Sequence, residues 1–261
     1  MREILSLVLK NIKFRFREPQ QFIFIFGFPI MFVFIFWFMF SQMMVGTHTQ
    51  FDLFVWGLLG FSTAFAAQSA SVAFSQEKDK GTLKRLFTTP VASTGYIFVG
   101  FIISEVLIII LQLLTVYFLA FLALGVYFYS LSVLFVNFGM YLLLGTFCIG
   151  VGLIMAAVLN AKLAGQLPML VIMPLVFLSG IFVPFSSPVL YINPIFWVCS
   201  FAKEIGFFGK DLFGTIEILD YTTQGFIDSG IPIFLCVPIT IVFAVTFLVF
   251  GLLLFKRKLQ E

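Results

Sequence analysis

The sequence predicts an all-α polytopic membrane protein with six transmembrane helices, and three observations lead to this fold class. Among 261 residues, 61% are hydrophobic and 10% are charged, whereas soluble domains carry about 45–50% apolar and about 25% charged residues. Charge-free stretches recur at lengths that suit bilayer crossings of about 20 residues. Basic residues concentrate in alternate connections between those stretches, as in membrane proteins. Such an arrangement leaves too little chain for a soluble catalytic domain of about 100 residues or more.

The six predicted spans cover residues 21–39, 53–76, 96–120, 131–159, 168–185 and 231–255. Residues 106–161 contain no charged side chain, and because this stretch is too long for one crossing, it must turn back between spans three and four. Prolines interrupt residues 163–202, so a single crossing fits there and the remainder is too short for another. Together the spans are expected to form one transmembrane domain, residues 1–261.

The distribution of lysine and arginine predicts which ends of these spans face the cytoplasm. Thirteen of the 15 lysines and arginines lie in the pieces that the arrangement assigns to the cytoplasm. The other two, Lys203 and Lys210, lie among several carboxylates in the outer segment between spans five and six. Because lysine and arginine favour cytoplasmic loops, both termini are predicted to be cytoplasmic.

The pattern of the first 18 residues predicts an amphipathic helix that does not span the membrane. Leu5, Leu9, Ile12 and Phe16 share one helical face, with cations on an adjacent one. A helix of this kind lies in the headgroup plane, with its apolar face toward the lipid tails. It is expected to end before Pro19, because the residue that precedes a proline avoids helical geometry.

The sequence contains no recognisable catalytic or metal-binding pattern. It has one histidine, three widely spaced cysteines, and no glycine-rich loop followed by lysine that would cradle a nucleotide phosphate. We therefore expect no catalytic residue, no metal site, no bound cofactor and no ATP hydrolysis by this chain. We expect no nucleic-acid partner. We expect the chain to contact the lipid bilayer.

One ionisable residue, Glu105, falls well inside predicted span three, and Gln112 follows it on the same helical face. A carboxylate within a membrane span is costly, which makes it a candidate for a transport pathway. The alternative is a hydrogen-bonded strut that holds span three against a neighbouring helix. The sequence favours the strut, because a single carboxylate is a thin basis for a proton or ion pathway.

The loop between spans two and three carries the most informative pattern, within residues 75–90. Gly81 interrupts the helix that leaves the membrane, Thr82 can cap a short new helix, and Pro90 ends it. Leu83, Leu86 and Phe87 then fall on one face. An apolar face on a cytoplasmic loop is typical of docking into a groove on another protein.

The pattern of Glu77, Gly81, Thr82, Leu83, Leu86 and Pro90 resembles the cytoplasmic signature of the ABC type-2 transporter permeases. Residues 177–184, which include Ser179, Gly180 and Pro184, together with Pro188 and Pro194, resemble the span-five exit and the outer re-entrant helices of the same family. The amphipathic start and the Phe28-Pro29 break in span one fit as well. The resemblance covers nearly the whole chain in the family's order.

The resemblance implies a permease subunit of the cell membrane that carries no ATPase of its own. Two copies, or one copy and a related permease, would pair with two separate ATP-binding subunits that hold ATP and Mg²⁺. The helix at residues 82–87 would be the coupling helix, with the N-terminal helix beside it. Export of an amphiphilic or lipid-linked substrate is typical of the family.

Two other functions compete with this interpretation. An ion-coupled secondary transporter would use intramembrane carboxylates and usually shows inverted repeats, whereas this chain offers Glu105 and no repeat. A membrane scaffold protein would have no need of an outer segment broken by prolines.

Overall fold

The computed structural model describes residues 2–45, 47–81, 94–180, 188–220 and 225–260. The described helices are α1 (Arg2–Arg17), α2 (Pro19–Phe22), α3 (Phe28–Phe40), α4 (Gln50–Asp79), α5 (Thr94–Tyr117), α6 (Leu131–Val158), α7 (Ala161–Ala164), α8 (Leu167–Phe177), α9 (Pro194–Gly206) and α10 (Cys236–Gln260). π-helical turns precede α3 (Ile23–Gly27) and extend α5 (Phe118–Ala123), and 3₁₀ turns cover Pro188–Ile192 and Ile233–Leu235.

Within the described residues, five helical stretches are long and apolar enough to cross a membrane. They are Ile23–Phe40, Gln50–Asp79, Phe98–Ala123, Leu131–Val158 and Ile233–Lys258. These confirm a helical, multi-pass membrane protein and match predicted spans one, two, three, four and six. Predicted span five coincides with a shorter apolar helix, Lys162–Phe177, and part of it lies outside the described residues. Six crossings therefore stay a prediction.

Helix α4 forms the centre of the molecule, because α3, α5, α6, α8 and α9 all pack against it. Its alanines and serines let neighbouring backbones approach closely. A Cβ atom on Gly152 of α6 would lie 2.5 Å from the carbonyl oxygen of Ala67. On the opposite side of α6, a Cβ on Gly150 would lie 2.6 Å from the backbone nitrogen of Leu248 in α10. Glycine is therefore required at both positions for three helices to meet.

Polar residues set several helix ends. A capping box begins α4, in which Thr49 and Asp52 each bind the other's backbone N–H group. Asn193 caps α9 through the N–H of Ile195, and Pro194 occupies the first turn, where no backbone donor is needed. After α4, Gly81 adopts a left-handed φ of 65°, which interrupts the helix as the sequence predicted.

Two antiparallel β-hairpins add to the helical fold, and the sequence analysis did not predict them. The first pairs β1 (Met44–Val45) with β2 (His48–Thr49). The second pairs β3 (Thr215–Asp220) with β4 (Gly225–Pro232) in the segment before α10. In β3 the buried Ile216 precedes the polar Glu217, the alternation expected of a half-covered strand. We call the end of the molecule that carries this hairpin the hairpin side, and the end near α1 the α1 side.

Candidate functional site

The N-terminal helix turns one narrow stripe, which carries two polar side chains, toward the helix bundle. Val8, Asn11 and Arg15 are buried, and their spacing of three and four residues places them on one stripe of α1. The apolar residues Leu5, Leu9 and Phe16, which were predicted to face lipid, are exposed on the surface of the chain. Helix α1 therefore contacts the protein with one face and leaves an apolar face uncovered.

Arg15 forms a buried ion pair with Glu105 of α5, with only 5% and 2% of the two side chains exposed. The Nη2 atom of Arg15 donates to Glu105 Oε1 and also to the carbonyl oxygen of Ser69 in α4, at 2.7 Å. Its Nη1 atom donates to Gln21 Oε1 at 2.7 Å. The hydroxyl of Ser69 donates to the second carboxylate oxygen of Glu105 at 2.8 Å. One arginine thus joins three helical segments, and both oxygens of Glu105 are occupied.

Further contacts tie α1 to the same two helices. Asn11 Nδ2 donates to the hydroxyl of Ser104, next to Glu105 in α5, at 3.2 Å. Lys10 Nζ lies 3.2 Å from Glu77 Oε1 near the end of α4. Lys80 Nζ lies 4.8 Å from the centre of the Phe14 ring. These contacts surround the end of α4 and the start of α5, so α1 braces the two helices that residues 82–93 connect.

A cavity of about 310 Å³ adjoins the ion pair on the α1 side. Its polar lining includes Arg15, Glu18, Gln21, Gln68, Gln76 and Lys162, and its apolar lining includes Phe24, Ile25 and Phe65. Cavities that bind small molecules fall in the range of about 300–1,000 Å³ and have a similar mixture of surfaces. The space lies between the start of the first span, α4 and the segment between α6 and α8.

The predicted coupling residues fall partly outside the described structure. Glu77 lies in the last turns of α4 beside Lys10, and Gly81 follows that helix. Thr82, Leu83, Leu86, Phe87 and Pro90 lie outside the described residues. Their role as a coupling helix stays a prediction.

Glu105 and Gln112 of α5 both make hydrogen bonds to the neighbouring helix α4. Gln112 is buried, and its Nε2 atom donates to the carbonyl oxygen of Ser62 in α4 at 2.6 Å. Glu105 also reaches α4, through Ser69. Both residues of α5 therefore make hydrogen bonds to α4, which is the geometry of a strut between two helices.

The residues predicted for the outer re-entrant motif lie near the end of α8 and the start of α9. Ser179 is buried and its hydroxyl donates to the carbonyl oxygen of Val176 at 2.6 Å, while Gly180 has a φ of 77°. Pro184 lies outside the described residues, and Pro188 begins a 3₁₀ turn. Pro194 begins α9, whose cap Asn193 also donates to the carbonyl oxygen of Leu175 in α8. Helix α9 is buried along almost its whole length.

A second buried carboxylate, Glu204 of α9, lies on the hairpin side. Lys203 Nζ and Lys210 Nζ approach it at 3.1 and 2.9 Å, and the backbone N–H of Glu217 donates to its Oε1 at 3.1 Å. Burial lowers the pKa of Lys203, and the charge of Glu204 offsets part of that shift. Burial also opposes the charge of Lys210, but hydrogen bonds from this lysine to Glu217 and Glu204 outweigh it and raise its pKa. This cluster fastens the second hairpin to α9.

Sequence reasoning missed Arg15 as a functional candidate, because it counted this residue among the solvated cytoplasmic cations. A signal was present: a carboxylate inside a membrane protein usually has a cationic partner. Several cations near the first and second spans met that condition, and their order in the sequence did not distinguish among them.

The described residues make up a helical, multi-pass membrane protein whose buried polar side chains bind one another across helices. Residues 2–207 match the model of a protein family described as ABC-2 type transporter, and the chain belongs to that family. The chain is thus a membrane permease domain of an ABC-2 transporter. No curated protein matches the chain.

Proposed function

We propose that this permease forms the export pathway for an amphiphilic or lipid-linked substrate, powered by a separate ATP-binding subunit. That subunit would bind ATP and Mg²⁺, and the permease would bind no cofactor. The permease would act as a homodimer or with a related permease in the cell membrane. The α1 side, which carries most of the basic residues, would face the cytoplasm, with both termini there.

The observation that best supports this proposal is the bracing of α4 and α5 by α1. Arg15 binds Ser69 and Glu105 from one side, and these belong to the two helices that residues 82–93 connect. A force applied to that loop would therefore act on α1, α4 and α5 as one unit. Closure of the ATPase pair would tilt this unit and move the spans between inward-open and outward-open arrangements, which is a rigid-body switch.

The principal alternative is an ion-coupled transporter that uses Glu105. Arginine stays protonated at all physiological pH values, so Glu105 has a permanent cationic partner in Arg15. A carboxylate that carries a transported proton or cation needs to exchange its partner during the cycle. The fully occupied oxygens of Glu105 favour a structural role instead.

The coupling loop supplies the direct test. Leu86→Ala combined with Phe87→Ala should weaken binding of the ATP-binding subunit by about tenfold or more, since loss of an interface anchor commonly costs about 2 kcal/mol. Lys84→Ala is the matched control on the same loop and should have a smaller effect, because a solvated charge contributes little. The assay is pull-down of the ATP-binding subunit by detergent-solubilised permease, with ATP hydrolysis measured in parallel.

Full retention and full ATPase stimulation by the Leu86/Phe87 variant would remove this loop from the coupling mechanism. Transport in proteoliposomes that contain a proton gradient but no ATP-binding subunit would support the ion-coupled alternative.

A further inference from the structure

The tight turn of residues 211–214, just before β3, carries two exposed apolar side chains. Leu212 is 47% exposed and Phe213 is 85% exposed, the largest fraction among the large apolar side chains that the structure describes. Single exposed apolar residues are common on proteins, so exposure alone does not identify a partner. The position of this turn relative to the last membrane span does.

Backbone hydrogen bonds hold the turn against the start of that span. The N–H of Phe234 donates to the carbonyl oxygen of Leu212 at 2.9 Å, and the N–H of Ile233 donates to that of Gly214 at 2.8 Å. The rings of Phe213 and Phe234 lie 6.2 Å apart, measured between their centres. The two phenylalanines therefore lie at a similar depth along the last span.

The composition of the last span fixes that depth. Ile233–Lys258 is apolar enough to cross a membrane, and its first charged residue is Lys256. A hydrocarbon core about 30 Å thick takes about 20 helical residues, at about 1.5 Å each. Counted back from Phe255, the core begins near Cys236. Phe234 and the neighbouring Phe213 ring then lie at the boundary between hydrocarbon and headgroups, where Phe and Leu side chains of interfacial segments insert.

The turn is also tied to the buried cluster around Glu204. Lys210 directly precedes the turn, and its Nζ atom lies 2.9 Å from Glu204 in α9 and 2.8 Å from Glu217 in β3. Helix α9 in turn is buried along almost its whole length. A contact that holds the turn at one depth therefore also holds the second hairpin and α9 at that depth.

We propose that the turn of residues 211–214 is a membrane anchor whose Leu212 and Phe213 side chains insert into the lipid leaflet on the hairpin side. The exposed carboxylate of Asp211 would stay among the headgroups. The anchor would fix the depth of the second hairpin and of α9 by a lipid contact outside the membrane spans. This inference needs only the membrane location of the chain and does not depend on the proposed export function.

A photoreactive side chain in the full-length permease tests which molecules surround the turn. p-Benzoylphenylalanine, which bonds covalently to nearby C–H groups on irradiation, would replace Phe213 in permease reconstituted in phosphatidylcholine nanodiscs. Mass spectrometry would then measure the fraction that carries one added phospholipid. Asp211, on the same turn, is the matched control position, and Phe38, 79% exposed in the first span, gives the yield of a lipid-facing position.

We expect the probe at position 213 to react with phospholipid nearly as well as the probe at position 38. Because burial of an aromatic side chain shifts an equilibrium by about tenfold or more, it should form at least about ten times more lipid adduct than the probe at position 211. Equal adduct at positions 211 and 213 would overturn the proposal. So would a cross-linked permease dimer in place of the lipid adduct, which would show that a second copy covers the turn.

Amide hydrogen exchange of β3 in the same nanodiscs measures whether the contact anchors the hairpin. Phe213→Ser should speed this exchange by about tenfold, because the hairpin then opens without withdrawing an aromatic side chain from lipid. Asp211→Asn, which keeps the apolar tip, should leave the exchange unchanged. Unchanged exchange in Phe213→Ser would show that the turn touches lipid without anchoring the hairpin, and would overturn the anchor. Neither measurement involves the ATP-binding subunit, so the exporter proposal is decided separately by the pull-down.

Discussion

Two buried carboxylates, Glu105 on the α1 side and Glu204 on the hairpin side, are held by different means. Glu105 is paired with one arginine whose side chain is 5% exposed. Glu204 is paired with Lys203 and Lys210, whose side chains are 16% and 23% exposed. If its partner carboxylate were lost, Arg15 would stay buried, whereas Lys210 is partly exposed and keeps a second carboxylate partner, Glu217, at 2.8 Å. We therefore expect the exposure of the cation to decide how much the loss of a buried ion pair destabilises the protein.

The two regions also differ in packing. On the α1 side a cavity adjoins the ion pair, and a Cβ on Gly165 would meet its nearest neighbours at 3.7 Å, an ordinary contact distance. On the hairpin side a Cβ on Gly206 would lie 2.5 Å from the Trp56 ring. The α1 side thus combines a buried ion pair with open space. The hairpin side is packed closely.

The largest expected effect comes from breaking the ion pair between Arg15 and Glu105 on the α1 side. Glu105→Gln and Arg15→Gln should each destabilise the permease by about 3–5 kcal/mol, because each change leaves a buried charge without its partner. The double variant should be more stable than the sum of the two single effects predicts. Unfolding in mixed detergent micelles would measure the cycle. Strict additivity would show that the two side chains are not coupled.

The same substitution on the hairpin side should have a smaller effect. Glu204→Gln keeps an acceptor for the backbone N–H of Glu217, and both lysines retain a partner, Lys203 the carbonyl oxygen of Glu217 and Lys210 its carboxylate. We expect a loss of about 1.5–3 kcal/mol, the value of hydrogen bonds to a charged group. A larger loss than that of Glu105→Gln, measured under the same conditions, would contradict the role assigned to cation exposure.

A pair of glycine substitutions tests the difference in packing. Gly206→Ala should destabilise the protein by about 1–3 kcal/mol, because the added methyl group overlaps Trp56 and the ring is held in the core. Gly165→Ala should change stability by less than about 0.5 kcal/mol, since the site has room and a φ of −78° that alanine adopts. Melting temperatures of the two purified variants would provide the comparison, and equal shifts would contradict it.

The smallest effect concerns the pH dependence of the Glu204 cluster on the hairpin side. The pKa of Lys210 is raised above its usual 10.5, so its stabilising contribution is fully present below pH 10.5 and is lost as the pH rises through the folded-state pKa. The wild type should therefore be more stable than Lys210→Met at about pH 9, by no more than about 1 kcal/mol for a partly exposed pair.

This advantage should shrink as the pH rises above 10.5. Lys203 has a lowered pKa and acts in the opposite sense, but it is present in both proteins, so its contribution largely cancels in the difference. Melting curves of both proteins across this pH range would measure the effect. A gap that widens with pH would reverse the sign assigned to Lys210.

The sequence anticipated much of the fold but only part of the site. The long apolar stretches, the amphipathic start, the end of α4 at Gly81 and the family were all predicted, and the structure and the family match confirm them. The second hairpin was missed because its alternation of Ile216, Glu217 and Ile218 is short and lies in an acidic segment that was interpreted from its charge alone. Glu105 was identified as a candidate strut, but its partner was not.

The sequence by itself determined that this chain enters a membrane and where most of its helices cross, because the transfer of apolar side chains from water to lipid depends on each stretch separately. Only the tertiary structure decided that Arg15 meets Glu105, 90 positions along the chain, and that Arg15 also lines a cavity. Successive side chains on an α-helix point in directions about 100° apart. Which side chains meet therefore depends on how each helix is rotated about its own axis relative to its neighbours. In this protein that rotation is set by close contacts such as those of Gly150 and Gly152, which act across the whole bundle.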